Sequence, residues 1–271
     1  MDDGLWKQLR KIIPQVEEQR LKHTDFAVVI DDVRIKDWKN VTDVLSRLSE
    51  VLHQYDDDGA EYYCLSTGTQ KKDVKKLLHG DPPGINGKEC SQLDTLLHLL
   101  VDIHIPTHDE FRQNPDNFKP YNIIVLTSAS GPDEASDGLE KVIFRALLGI
   151  YHLKPDALQK KLVSFQVLQL GPQRRETQDF WKSLDQELAN DFREWLKDND
   201  TSEIHDVVAP LLGELGQWQG KALPEKYDIV DTTVIPENVP ITADAIAKAI
   251  CGSWSSKFDS KDEEEEAVPS A

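Results

Sequence analysis

Three cysteines in 271 residues are too few for a disulfide framework, and Cys64, Cys90 and Cys251 are scattered along the chain. That scarcity predicts a reduced, cytoplasmic protein. Basic residues are outnumbered, 31 Lys and Arg against 49 Asp and Glu, which leaves a formal charge of −18. Such an excess argues against nucleic acid or an anionic membrane as partner, because both select positive surface. It disfavours nonspecific self-association and leaves a specific dimer open. No apolar run approaches the ~20 residues a membrane-spanning helix needs. Residues 1–25 carry Asp2, Asp3 and Pro14 where a signal peptide has an apolar stretch. Two catalytic signatures are missing as well. No loop reads G-x-G-x-x-G, which excludes a dinucleotide fingerprint, and no G-x-S-x-G nucleophile elbow occurs.

At 39% hydrophobic residues, the chain has enough apolar side chain for a sizeable core. Its apolar residues alternate between two patterns. Phe26–Ile30, Tyr121–Thr127 and Leu162–Leu170 are unbroken apolar-rich runs bounded by polar residues, the mark of strands buried on both faces. Ala60–Leu65 and Tyr227–Asp231 supply two further strands. Between them lie runs with apolar residues three and four apart. Trp38, Val41, Val44, Leu45, Leu48, Val51 and Leu52 form one, and Leu93, Leu96, Leu97, Leu100 and Val101 another. Leu139–Ile150 and a run through Phe180, Trp181, Leu184 and Leu188 continue the series. A short helix is expected at Val74–Leu78, one at Ile204–Leu215, and a closing helix over Ile241–Cys251 with Thr242 as its N-cap.

Strands alternating with helices predict an α/β fold: a Rossmann-like, doubly wound, mostly parallel central sheet with helices on both faces. Residues 1–24 read as an N-terminal helical segment interrupted by Pro14, and residues 25–256 as the domain, with an insertion at 191–226. Residues 257–271, which include the run Glu263–Glu266, read as an acidic disordered tail.

In such a sheet ligands sit beyond the carboxyl ends of the strands, here Asp31–Ile35, Ser66–Thr69, Thr127–Ser130 and Gly171–Arg175. Gly87-Lys88 imitates the end of a phosphate loop, but Pro82 stands where its first glycine belongs and Glu89 where its hydroxyl residue belongs. Asp56-Asp57-Asp58-Gly59 imitates a calcium loop, yet the alignment puts Gln54 and Leu65 at ligand positions, so a helix-to-strand turn is the better reading. His98, His104 and His108, with Asp94, Asp102 and Asp109, are the densest set of zinc-type ligands. Pro106 interrupts that stretch, and a solvated helix end accounts for it more simply. Ser128 has no histidine nearby in sequence.

The order of these signals resembles the von Willebrand factor A-like proteins, in particular their fungal branch. The residues that carry the resemblance are Phe26–Asp32, Trp38, Tyr55–Gly59, Ile123–Thr127 and Gln166–Gly171, then Leu184-Asp185, Tyr227–Thr233 and Lys248–Gly252. The resemblance spans roughly Asp25 to Asp259. It implies a divalent-cation site at the top of the sheet, built from Asp-x-Ser-x-Ser, a threonine and an aspartate, and completed by a partner's carboxylate. Asp31 fits the first aspartate, but Val33 and Ile35 occupy the serine positions and Thr127-Ser128-Ala129 replaces Thr-Asp-Gly. If Mg²⁺ or Mn²⁺ bound, Asp31, Ser91 and Ser128 would be the positions left to hold it. One carboxylate does not replace the water shell that magnesium surrenders reluctantly.

The expectation is therefore a module with a degenerate metal-ion-dependent adhesion site, not an enzyme, that binds a protein partner without a cofactor. Asp31, Asp32, Arg34, Lys36, Lys88, Glu89, Ser128 and Ser130 form the candidate partner surface, with Arg34 paired to Asp31 in place of a cation. Trp195 and Trp218 offer a second surface. The alternatives are a Mg²⁺- or Mn²⁺-dependent module using Glu89, Asp133 or Glu134, and an enzyme built on Ser128 or the His98–His108 cluster.

Overall fold

The computed structural model describes residues 3–32, 35, 38–56, 59–66, 69–71, 93–106, 108–128, 135–153, 161–171, 175–186, 229–236 and 239–252. The expected helices at Val74–Leu78 and Ile204–Leu215, the insertion and the tail lie outside these residues.

Among the described residues, six strands form one sheet in the order β3-β2-β1-β4-β5-β6. They are β1 (Asp25–Ile30), β2 (Glu61–Cys64), β3 (Thr69–Lys71), β4 (Tyr121–Thr127), β5 (Val163–Leu170) and β6 (Val230–Ile235). Five run parallel, and β3 pairs antiparallel with β2 at the edge. The described helices are α1 (Asp3–Ile12), α2 (Gln15–Leu21), α3 (Trp38–Tyr55), α4 (Leu93–His104), α5 (His108–Gln113), α6 (Ala135–Leu153), α7 (Arg175–Gln186) and α8 (Ala243–Cys251). The architecture is the expected Rossmann-like α/β fold.

Alternation along the strands builds two cores. Ala27, Val29, Ile123, Val125, Phe165 and Val167 face α4, α5, α6 and α7. Phe26, Val28, Ile30, Ile124, Leu126 and Leu168 face α1, α2, α3 and α8. Every residue of β4 is buried, as a strand covered on both faces requires.

Four local features depart from the sequence reading. The N-terminal segment is two helices, because Pro14 lacks an amide hydrogen and sits in extended backbone as the N-cap of α2. Strand β3 has three residues and no apolar signal; an edge strand needs only backbone pairing. Helix α5 is mostly polar, with Phe111 buried. Strand β6 begins three residues later than expected and runs through Asp231, which Lys248 of α8 meets at 3.4 Å. The charge that reads as a strand end is neutralised from a distant helix.

Two expectations hold in detail. Thr242 accepts a hydrogen bond from the Ala245 amide at 3.2 Å and caps α8. Asp56 accepts one from the Gly59 amide at 3.1 Å, and Gly59 has φ +91°, a conformation in which side chains are strained. Asp56 and Gly59, joined by this bond, lie between α3 and β2 as the turn reading expects.

Candidate functional site

From β1 the chain turns through α3 to β2 on one side; from β4 it turns through α6 to β5 on the other. The winding therefore reverses between β1 and β4, and a crevice is expected beyond the carboxyl ends at such a switch point. Asp31 directly follows β1, and Thr127 ends β4. The ladder continues past β1, since the Asp31 amide donates to the Leu126 carbonyl at 2.9 Å.

Asp31 is fully buried, and its Oδ2 accepts a hydrogen bond from the Thr127 hydroxyl at 2.8 Å. Asp32 is buried beside it. Its Oδ1 accepts from the Ser66 amide at 2.8 Å, and its Oδ2 from the Ser66 hydroxyl. The two carboxylates thereby tie the end of β1 to β4 on one side and to the β2–β3 turn on the other. Ser128 is half-buried at the same edge. Ile35, at the second serine position of the adhesion-site pattern, packs against the apolar core.

Arg34, Lys36, Lys88, Glu89, Ser91 and Ser130 lie outside the described residues, as do Trp195, Trp218, Asp133 and Glu134. The structure therefore brings together Asp31, Asp32, Ser66, Thr127 and Ser128. Of these, the sequence reading had not singled out Ser66 or Thr127 as partners of the carboxylates.

Gln169, which the sequence reading quoted only within the run Gln166–Gly171, was not singled out as a site residue. Its register partner is Thr127, so it stands one strand beyond the Asp31–Thr127 bond. It is 3% exposed, and its Oε1 has no hydrogen-bond partner among the described residues. A buried acceptor left unsatisfied costs about 1–3 kcal/mol. Gln169→Met keeps the volume and removes that acceptor, so it is expected to raise stability by about 1 kcal/mol. A thermal melt would read this as a Tm increase of roughly 2–4 °C. The only signal for Gln169 in the sequence is a glutamine near the end of an apolar strand.

The residues present do not fit the cation that the resemblance implies. Two of its serines are apolar here, one of them packed into the core, and its third-loop aspartate is Ser128. Magnesium demands near-octahedral oxygen coordination, and at this edge Asp31 Oδ2 and both Asp32 carboxylate oxygens already accept from hydroxyl and amide donors.

The histidine set separates in space. His98 Nδ1 lies 3.2 Å from Asp102 Oδ2, and Arg145 of α6 reaches both His98 Nε2 and Asp102 Oδ1, the latter at 2.8 Å. His104, about 9 Å further along the helix axis, stacks on Tyr121 with ring centroids 3.4 Å apart. His108 has no described side chain. Among the described residues no three His, Cys, Asp or Glu side chains gather as metal ligands.

The opposite edge of the sheet carries its own polar cluster. Glu61 Oε2 accepts from the Tyr63 and Tyr121 hydroxyls at 2.9 and 2.8 Å. Burial first, and then the Glu61 charge, push the Tyr121 phenol above its usual range, so it stays a donor. No described helix is long and apolar enough to cross a membrane.

Compared with protein-family models and with curated proteins, the chain matches none of them.

Proposed function

We propose that this chain is a metal-independent protein–protein interaction module of the von Willebrand factor A-like type, binding through loops at the carboxyl edge of the sheet. The observation that carries the reading is the use made of the two carboxylates at the switch point. Asp31 accepts from Thr127, and Asp32 accepts from Ser66 twice. They fasten the carboxyl ends of β1, β2 and β4 to one another, and a sheet edge fixed in this way is a platform from which loops can bind a partner. Protein is the partner class best suited to a chain of charge −18 whose edge has no phosphate-binding loop.

The test combines two measurements. A ligand at ~100 times its dissociation constant stabilises a fold by about 2.7 kcal/mol. Melts in EDTA and in millimolar Mg²⁺, Mn²⁺ or Ca²⁺ are expected to coincide within 1 °C or so. A rise with Mg²⁺ or Mn²⁺ that Asp31→Ala abolishes would overturn the reading in favour of a cation-dependent module. In parallel, proteins captured from extract in EDTA should be lost when Lys36→Glu and Lys88→Glu are combined. A captured set unchanged by that double substitution would move binding off this edge.

A further inference from the structure

The first two helices are a local exception to the charge of the chain. Between Gly4 and His23 five Lys and Arg stand against two Glu, within a sequence of formal charge −18. Lys7, Arg10 and Lys11 are spaced three and four apart, so they share one face of α1, and all three are exposed. Lys22 is exposed at the end of α2, whereas Glu17 and Glu18 are half-buried, Glu18 at 4.0 Å from Lys22. Asp2 and Asp3 come before this stretch in the sequence.

The chain leaves its last described helix beside these cations. Helix α8 packs on both α1 and α2. It runs back toward the amino edge of the sheet, where the Ile250 carbonyl accepts from Asn122 Nδ2 at 3.3 Å. Burial foremost pushes the Cys251 thiol up, and the charges that act on it, Glu17 and Arg20, both belong to α2. Arg10 sits over the Trp6 ring, 5.9 Å from its centroid, and that ring meets Tyr55 edge-on at 6.0 Å. Tyr55 in turn feels burial first, then Glu18, Cys251 and Arg10. Arg10 and Arg20 therefore border the end of α8. Residues 253–271 follow, and they carry Asp259, Asp262 and Glu263–Glu266 against Lys257 and Lys261.

We propose that the basic face of α1 is a docking surface for acidic peptide, occupied by this chain's own segment Asp259–Glu266. Reach and charge both support it. Glu263 lies eleven residues beyond Gly252, a span of up to about 36 Å, and α1 is about 15 Å long. Attachment makes the encounter intramolecular, at an effective concentration in the millimolar range, so a few weak exposed ion pairs suffice to populate the docked form. The surface belongs to the helical layer on one face of the sheet, not to its carboxyl edge, and it stands or falls separately from the function proposed above.

Carbodiimide coupling of the full chain, read by mass spectrometry, tests the proposal, because the reagent joins a carboxylate to an amine only where the two meet. Asp259–Glu266 should couple to Lys7 and Lys11, with a yield independent of protein concentration. Raising the salt from about 0.05 M to about 0.5 M shortens the screening length about threefold and should cut that yield severalfold. Arg10→Gln leaves both amines in place and removes the cation beside them, which should lower the yield about twofold. Absence of these products, with coupling confined to lysines of other elements such as Lys39 or Lys119, would overturn the proposal. So would a yield that ignores both salt and Arg10→Gln. A yield that rises in proportion to protein concentration would give the surface to the acidic segment of a second copy and overturn docking within one chain.

Discussion

Gly252→Ala is expected to cost about 3–5 kcal/mol, the range for breaking a buried ion pair. Gly252 follows α8, and a Cβ built there would land on the Asp231 carboxylate, 2.6 Å from its Cγ and 3.1 Å from Gln166 Oε1. The carboxylate has little room to yield. The Asp231 side chain is 2% exposed, Lys248 Nζ approaches it at 3.4 Å, and Gln166 is its register partner on β5. Moving it separates two charges that are both largely removed from water, Lys248 being 14% exposed. Urea unfolding should show a lower midpoint at unchanged slope. A double-mutant cycle identifies the cause. In an Asp231→Ala background the methyl group meets no carboxylate, so adding Gly252→Ala should cost less than about 0.5 kcal/mol. Additive losses would place the strain in the backbone after α8 instead.

The second large effect is expected at the switch point. Thr127→Val preserves shape and removes a hydroxyl that donates to Asp31 Oδ2, leaving a fully buried carboxylate with a donor fewer. Hydrogen bonds to charged groups contribute about 1.5–3 kcal/mol, so a loss of about 2 kcal/mol is expected. Thr127→Ser retains the donor and gives up one methyl group, and should cost about 1 kcal/mol or less. Thermal melts of the two variants separate the hydrogen bond from packing. Equal losses would mean that Thr127 matters through its volume alone.

These two sites divide sharply in how far they can be read from the chain. Strands such as Tyr121–Thr127, and helices such as Trp38–Tyr55, follow from apolar spacing because each needs only its own residues to declare which faces are buried. The caps at Thr242 and Asp56 are equally local, a side chain bonding to an amide three residues on. Asp31 at the end of β1 was legible as a candidate for the same reason: it closes an unbroken apolar run. The partners of Asp31 and Asp32 were not. Thr127 lies 96 positions from Asp31 and Ser66 lies 34 from Asp32, and nothing in composition or spacing announces such pairs. Strand β6 was misplaced on the same ground, since Asp231 ends a strand unless a lysine from another element cancels its charge.

By itself, then, the sequence determined the fold class, the two-sided burial of β1, β4 and β5, the local caps and the acidic balance. All of these depend on residues within a few turns of one another. Only the tertiary structure decided what the buried polar groups are for. It joined Asp31 to Thr127 and set Gln169 beside them. It placed Asp231 between Lys248 and Gly252, and it set His98 beside Asp102 and Arg145 but His104 on Tyr121. The physical reason is one of range. Apolar burial is nondirectional and leaves its period in the chain, whereas a buried charge or hydrogen bond is directional and is satisfied by whichever distant strand or helix the fold brings within about 3 Å.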